Sequence, residues 1–193
     1  VRAVLDNPQR YTEAKGIAPL RAALVAYYAS RHGVVLDPSR IIVTTGSSAG
    51  FLLAFLAGFA PGAGIAVTRP GYPAYLNTLY GMGFSPIEIP ISAENGWKLT
   101  PEAVRAAHAE NPFAGLLIAS PANPTGAALD AGELFALADT GAELGVRLIS
   151  DEIYHGLSYV GPSPSALEHT DAAIVINSFS KFHCMTGWRV GWM

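Results

Sequence analysis

The sequence predicts an α/β fold in which a mostly parallel sheet carries helices on both of its faces. Short apolar runs alternate with helical segments along the chain, an order typical of parallel strands joined by crossover helices. The runs are apolar throughout, as strands that are covered on both faces require. Half of the 193 residues are hydrophobic and only 14% are charged, which suits a chain with a large buried core.

Seven apolar runs are the candidate strands of this sheet. They span residues 41–44, 64–68, 86–90, 115–120, 146–150, 173–178 and 189–193. Residues 1–18 are polar and irregular, so we expect an N-terminal arm there and one large domain over residues 19–193. The first predicted helix runs from Pro19 to the residue before Gly33, with its apolar side chains on one face.

Two later helices have recognisable start signals. Thr100 precedes Pro101, which combines an N-cap residue with proline at the first helical position. Asp130 and Glu133 have the spacing of a capping box and are followed directly by an apolar helical pattern. Both signals place helices between predicted strands, as the α/β interpretation requires.

Composition and charge exclude several classes of protein. The net charge of -3 and the isoelectric point near 5.9 provide no positive field for nucleic acid. One cysteine, Cys184, excludes an internal disulfide or a multi-cysteine metal site and favours a reducing, cytoplasmic compartment. No apolar run reaches the roughly 18 to 20 residues of a membrane span, and the histidines lack metal-ligand spacing. The chain lacks an initial methionine and stops within a predicted strand, so we expect a fragment of a longer protein.

A turn of small residues follows the first predicted strand. The sequence TGSSAG leads directly into an apolar helix. Gly46, Ser47 and Ser48 therefore lie where backbone N–H groups at a helix N-terminus can bind a phosphate. A tight turn that needs glycine explains these residues equally well. The turn matches neither a Walker loop nor the dinucleotide-binding pattern G-x-G-x-x-G.

The next two informative strand ends carry an aromatic ring and an amide. Tyr72 lies in the turn RPGYPAY, where it can stack on a flat ring or pack as an ordinary side chain. Asn123 lies between two prolines in PANPTG, so its amide can be held in one orientation. An ordinary turn asparagine is the alternative interpretation.

Acidic residues follow the run at 146–150. Asp151 directly follows this strand. If its carboxylate is buried there, it requires a cation or several hydrogen-bond donors. Asp151 as a helix N-cap is the alternative. We expect Glu152 to be its solvated neighbour, and Tyr154 to return to the same pocket as Asp151.

A lysine follows the run at 173–178. Lys181 has Ser178 three residues before it and Arg189 eight residues after it. A nearby guanidinium disfavours the ammonium form of a lysine, which helps the amine to act as a nucleophile. Five features thus follow five different predicted strands: a candidate phosphate loop, a stacking aromatic ring, an oriented amide, a buried carboxylate and a lysine. Pyridoxal 5'-phosphate is the cofactor that requires this whole set.

The chain resembles the class I/II aminotransferases, which are pyridoxal-phosphate enzymes of fold type I. The resemblance extends from YTEAKGIAPLR to GWRVGW, and its most specific parts are SPANPTG, SDEIYHGL and SFSKFHCMTGWRVG. It implies a large domain with a seven-stranded, mostly parallel sheet. It also implies a smaller domain formed by both chain ends, whose C-terminal part we expect to be absent from this chain.

The resemblance implies a role for each residue around the cofactor ring. Lys181 would form a Schiff base with the cofactor aldehyde and later move a proton of the substrate. Asp151 would pair with the pyridinium nitrogen, and Asn123 and Tyr154 would hydrogen-bond the phenolic oxygen. Tyr72 would stack on the ring.

The resemblance also implies the phosphate ligands. Ser178, Arg189 and the loop at 46–48 would bind the phosphate oxygens. Tyr11, in the arm, would reach the phosphate of a neighbouring subunit, which implies a homodimer with composite sites. Cys184 departs from the family, which usually has alanine, glycine or serine at this position three residues after the lysine.

By this resemblance the protein is an aminotransferase that moves an amino group from an amino acid to a 2-oxo acid. A β-lyase or a decarboxylating relative uses the same cofactor-binding residues and stays open. The ligand-sensing domain of a transcription regulator and a non-functional truncation stay open as well. The family's arginine for the substrate carboxylate lies in the C-terminal part, so the substrate is not readable from this chain.

Overall fold

The computed structural model describes residues 11–159 and 161–193 and confirms the predicted α/β architecture. The strands are β1 Val43–Thr44, β2 Gly64–Arg69, β3 Ser85–Pro90, β4 Gly115–Ala119, β5 Arg147–Asp151, β6 Ile174–Ser178 and β7 Gly191–Trp192. They form one seven-stranded sheet in the order β1-β7-β6-β5-β4-β2-β3. Each strand lies within or next to a predicted apolar run.

The chain divides into two compact units, Val1–Val43 and Thr44–Met193. The described part of the first unit contains helix α1, Ala18–His32, which ends at Gly33 in the left-handed conformation with φ 68°. Its buried side chains are Leu24 and Tyr28, two of the four residues, Leu20, Leu24, Tyr27 and Tyr28, whose spacing predicts the apolar face. The helix bounds agree with the prediction from Pro19 to Gly33, while the division into an arm and a large domain at residue 18 stays a prediction.

The second unit holds four more α-helices among its described residues. They are α2 Ser47–Gly58, α3 Pro73–Gly81, α4 Pro101–Glu110 and α5 Ala131–Glu143. Both predicted start signals are confirmed. The Thr100 hydroxyl accepts a hydrogen bond from the backbone N–H of Ala103 at 3.3 Å. Asp130 and Glu133 each accept from the other's backbone N–H, at 2.9 and 2.8 Å, which is a complete capping box.

Parallel pairing brings the ends of the central strands to one edge of the sheet. Strands β2 and β3, β2 and β4, β4 and β5, and β5 and β6 pair in parallel, and β7 runs antiparallel to β6. The β4–β5 register sets Ala119 opposite Asp151. The segments that follow β2, β4, β5 and β6 therefore start from the same edge, where ligands of open α/β sheets bind.

Both faces of the central strands are covered. On one face a buried cluster joins α2 and α3 to the sheet, with Phe55 and Leu79 of the helices against Ile65, Leu117 and Ile149 of the strands. The intervening strand residues, Leu116 and Leu148 among them, are buried as well. Helix α5 packs against β5, and α4 packs against α5. This two-sided burial explains why the strands are apolar throughout.

Candidate functional site

A cavity of about 170 Å³ opens at the carboxyl ends of the central strands. Most of the residues predicted to form a site line it, although they come from distant parts of the sequence. These residues are Ser47, Ser48, Tyr72, Asn123, Asp151, Tyr154, Lys181 and Arg189. Further residues of α2 and α3 also line it, together with Ile153, Ser180 and Thr186. The cavity lies where the strand register places it, beyond the end of β5.

The loop before α2 lies against the guanidinium of Arg189. Gly46 has φ 81°, and a Cβ there would overlap that guanidinium, so glycine lets the loop backbone approach the charge closely. The hydroxyl of Thr44 donates to the Gly46 carbonyl at 2.8 Å and holds the turn. Helix α2 then starts at Ser47. The helix N-terminus and the guanidinium lie side by side and could together bind an anion such as a phosphate.

Strand β7 supports the same loop from behind. A Cβ at Gly191 would lie 2.8 Å from the carbonyl carbon of Gly46 and 2.9 Å from the backbone nitrogen of Ser47. Backbone therefore packs directly on backbone at this position. Arg189 itself has φ 53°, and its Nη1 donates to the Thr186 carbonyl at 3.0 Å, so its side chain is held beside the loop.

Ser178 is buried and lies outside the cavity lining in the described part of the chain. Its hydroxyl accepts a hydrogen bond from the backbone N–H of Ser180 at 3.1 Å. Ser180 lines the cavity in its place. The role of Ser178 as a phosphate ligand therefore stays a prediction, and Ser180 is a lining residue that the sequence alone did not single out.

Asp151 is a buried carboxylate at the end of β5 that faces the cavity. Its Oδ2 accepts a hydrogen bond from the hydroxyl of Tyr75, and its Oδ1 accepts one from the backbone N–H of Ile153 at 3.2 Å. Burial raises the pKa of Asp151 to about 6, while these two donors act in the opposite direction. Within residues 11–159 and 161–193 Asp151 forms no ion pair. A buried carboxylate that faces a cavity and has no ion pair fits the protonated nitrogen of a pyridine ring.

Tyr75 was not predicted from the sequence. It is buried on α3, and it both lines the cavity and donates to Asp151. Its edge packs against Tyr72, with ring centroids 5.4 Å apart and an interplanar angle of 87°. Its position in the sequence could have indicated this role. Tyr75 follows Tyr72 by three residues at the start of a helix, and residues i and i+3 of a helix share a face.

Tyr154, Asn123 and Lys181 lie together on the wall of the cavity. The Asn123 amide donates to the Tyr154 hydroxyl at 3.4 Å, and Lys181 Nζ lies 5.8 Å from the centroid of the Tyr154 ring. The flat ring of Tyr72 also lines this space. The groups around the cavity thus include a primary amine, a phenol, an amide, a carboxylate and a place for an anion. This combination fits a phosphorylated pyridine aldehyde.

Glu152 is buried rather than solvated, so that prediction was wrong. Its Oε1 accepts hydrogen bonds from the hydroxyls of Ser150 and Ser165, at 3.2 and 3.0 Å, and from the backbone N–H of Ala166 at 3.0 Å. Burial raises the pKa of Glu152 to about 8. Glu152 is buried because the segment around Ser165 folds back over the end of β5 and shields the Glu152 side chain from water.

The remaining predicted residues lie elsewhere. Cys184 is exposed, with φ 55°, and is outside the cavity lining as described. Tyr11 belongs to the first unit and is fully exposed, and its contact with a neighbouring subunit stays a prediction. Among the described residues, no cluster of three His, Cys, Asp or Glu side chains is arranged for a metal ion. Nor is any helix in that part of the chain long and apolar enough to cross a membrane.

Comparisons with known proteins agree on one family. The family model described as aminotransferase class I and II matches residues 6–193. A valine–pyruvate aminotransferase of Mycobacterium tuberculosis is 47% identical over 189 residues, which cover 97% of this chain and 48% of that protein. An aspartate aminotransferase of Streptomyces avermitilis is 34% identical, with 97% of this chain and 48% of that protein covered.

Solved structures lead to the same family. An aminotransferase from Mycobacterium tuberculosis superposes with a TM-score of 0.93 at 45% identity, over 99% of this chain and 49% of that one. The Thermus thermophilus aspartate aminotransferase with maleate gives a TM-score of 0.92 at 32% identity, over 99% and 50%. This chain thus spans about half the length of the relatives it matches. It belongs to the aminotransferase class I and II family.

Proposed function

We propose that this chain binds pyridoxal 5'-phosphate and forms the cofactor-binding part of an aminotransferase. The observation that carries the proposal is the buried Asp151 carboxylate, which faces a cavity that also holds a lysine amine and an anion site. Members of this family are generally dependent on pyridoxal phosphate. A cationic ring nitrogen would supply the counter-charge that Asp151 lacks among the described residues.

Each residue of the cavity has a proposed task towards that cofactor. Lys181 would bind the aldehyde carbon through Nζ, and the freed amine would later carry a proton at the substrate α-carbon. Asp151 would keep the ring nitrogen protonated, and Tyr72 would stack on the ring. Asn123 and Tyr154, which already contact each other at 3.4 Å, would donate to the phenolic oxygen. When bound, the cofactor supplies the electron sink for the bond broken at the substrate α-carbon.

The phosphate would lie at the N-terminus of α2. Backbone N–H groups of Gly46, Ser47 and Ser48 would donate to it there, and Arg189 offers a forked pair of donors beside the same loop. Ser178 and Ser180, two positions apart along the chain, are candidate hydroxyl ligands. These contacts would anchor the cofactor, so the ring would keep its position when the substrate replaces Lys181.

The substrates and partners of the whole protein follow from the family. We propose an amino acid as donor and a 2-oxo acid as acceptor, the class of substrates that the name valine–pyruvate aminotransferase gives for its Mycobacterium tuberculosis relative. A homodimer in the cytoplasm, with Tyr11 reaching the neighbouring subunit's phosphate, is part of the same proposal. Residues 19–193 would form the large domain of that protein.

Borohydride trapping tests the cofactor site. The purified protein is mixed with pyridoxal 5'-phosphate, reduced, digested, and searched by mass spectrometry for a modified lysine. We expect the label on Lys181, together with a visible absorption band that reduction abolishes. Lys181→Arg keeps the positive charge but lacks a primary amine, so it should lose both signals. Lys98→Arg, a control at the ion pair with Glu133, should keep both.

The outcomes separate transamination from β-elimination. A label that persists in Lys181→Arg would remove Lys181 from the proposal. With the cofactor site established, transfer of an amino group to a 2-oxo acid would support the aminotransferase. Release of pyruvate from a β-substituted alanine without any acceptor would instead support a β-lyase.

A further inference from the structure

We propose that Tyr75 is a positioning residue of the cofactor site: it holds the orientation and charge of Asp151 and couples this carboxylate to the ring of Tyr72. The proposal rests on the proposed function, because it assigns a task within the same site. Tyr75 contacts Asp151 through a donated hydrogen bond, although the two residues are 76 positions apart in the sequence.

The hydrogen bonds fix the plane of the carboxylate. Tyr75 donates to Oδ2 and the Ile153 backbone N–H donates to Oδ1, so each oxygen has one donor from the protein. An ionised carboxylate accepts about four hydrogen bonds, so it keeps capacity towards the cavity. Rotation of the carboxylate would break both bonds at once. Asp151 is thereby held ready for one further donor in the cavity.

The ring of Tyr75 ties three elements together. It packs edge-on against Tyr72 at 5.4 Å, at the start of the same helix, and against Phe51 of α2 at 5.2 Å with an interplanar angle of 63°. Its hydroxyl reaches β5. Edge-to-face contacts of this kind add about 0.5–1.5 kcal/mol beyond buried area. One buried side chain therefore sets the distance between the stacking ring and the carboxylate.

Electrostatics make Tyr75 a constant donor. Burial, and then the charge of Asp151, raise the pKa of Tyr75 well above its ordinary value of 10.0. The Tyr75 hydroxyl therefore stays protonated at every pH at which cofactor binding is measured. The pKa of Asp151 is already raised to about 6 by burial, with Tyr75 first among the groups that oppose the rise. Without that hydroxyl, a larger fraction of Asp151 would be neutral near pH 7 and would bind a cationic ring less well.

Other ionisable groups surround the same space and would be present in any variant. Those lining the cavity with Asp151 and Tyr75 are Tyr72, Tyr154, Lys181 and Arg189. Glu152 is buried beside Asp151 in the chain, among donors of its own. Removing a single hydroxyl from Tyr75 leaves all of these in place, so a change in pH dependence reports on the Tyr75–Asp151 bond.

The test compares Tyr75→Phe with Tyr80→Phe, a control on the same helix whose side chain is 65% exposed. The affinity for pyridoxal 5'-phosphate is measured from about pH 5 to about pH 8. We expect Tyr75→Phe to weaken binding about 10- to 100-fold near pH 7, as the loss of a hydrogen bond to a charged group implies. The acid limb of its binding profile should also move to higher pH, and Tyr80→Phe should match the unmodified protein.

Two further measurements separate positioning from packing. In an Asp151→Asn background, Tyr75→Phe should change the affinity at most about twofold, because the charge it supports is gone. In the cofactor-free protein, carbon NMR of the Asp151 carboxyl should titrate at a higher pH in Tyr75→Phe. An equal loss of affinity at all pH values, or an unchanged Asp151 titration, would overturn the proposal. If the unmodified protein binds no cofactor but the Asp151 titration still moves, the proposed function fails and the coupling stands.

Discussion

Replacing Glu152 with glutamine removes an ionisable group from the protein interior while keeping its shape. Glu152 is 1% exposed, and three donors converge on its Oε1. Its Oε2 lies 3.5 Å from Nδ1 of His155, which is also buried. Burial raises the pKa of Glu152 from the ordinary 4.5 to about 8, and the three hydrogen bonds only partly offset this rise. At neutral pH the side chain is therefore mainly protonated.

The sign of the pH effect follows from this raised pKa. Below about pH 4.5 both the folded and the unfolded chain hold the proton, and the stabilising contribution of the site is complete. Between about 4.5 and about 8 only the folded chain holds it. The free energy of unfolding therefore falls as pH rises, by about 1.4 kcal/mol per pH unit. From about pH 6 to about pH 8.5 the loss from this one group is about 2.5 kcal/mol.

Urea unfolding followed by circular dichroism measures this contribution. We expect Glu152→Gln to lack this pH dependence, so that its stability relative to the unmodified protein improves by about 2.5 kcal/mol between about pH 6 and about pH 8.5. Glu94→Gln, at an exposed position, controls for the loss of one negative charge. If the unmodified protein instead gained stability over Glu152→Gln as pH rose, Glu152 would be ionised and paired with His155. Burial would then not be what controls the ionisation of Glu152.

Two substitutions test the backbone and the helix starts. Gly191→Ala places a Cβ 2.9 Å from the Ser47 nitrogen, so we expect the free energy of unfolding to fall by about 1–3 kcal/mol and cofactor binding to weaken. The control Gly187→Ala has open space around it and should change neither property. Equal effects in both variants would mean that steric overlap at Gly191 is not the cause. Asp130→Ala removes the side chain that accepts from the Glu133 backbone N–H at 2.9 Å and should lower the free energy of unfolding by about 1 kcal/mol in urea titrations. Unchanged stability would mean that water replaces the cap.

The features that depend on neighbouring residues along the chain could be predicted from the amino-acid sequence. Apolar runs predicted all seven strands, and the start signals at Thr100 and Asp130 predicted two helix N-termini. These features are local because turn chemistry and side-chain periodicity act over a few residues. Strand order along the chain was enough to expect that the segments containing Asp151 and Lys181 would meet, since parallel strands end at one edge.

The burial of polar side chains and the identity of their partners depend on how distant segments pack in the folded protein. Glu152 and Asp151 are adjacent in sequence, yet Glu152 accepts hydrogen bonds from a segment 13 and 14 residues later and Asp151 from Tyr75, 76 residues earlier. No local pattern encodes these contacts, because they form when separate elements pack together. Burial then sets the ionisation of both carboxylates, since desolvation depends on every segment that excludes water from them.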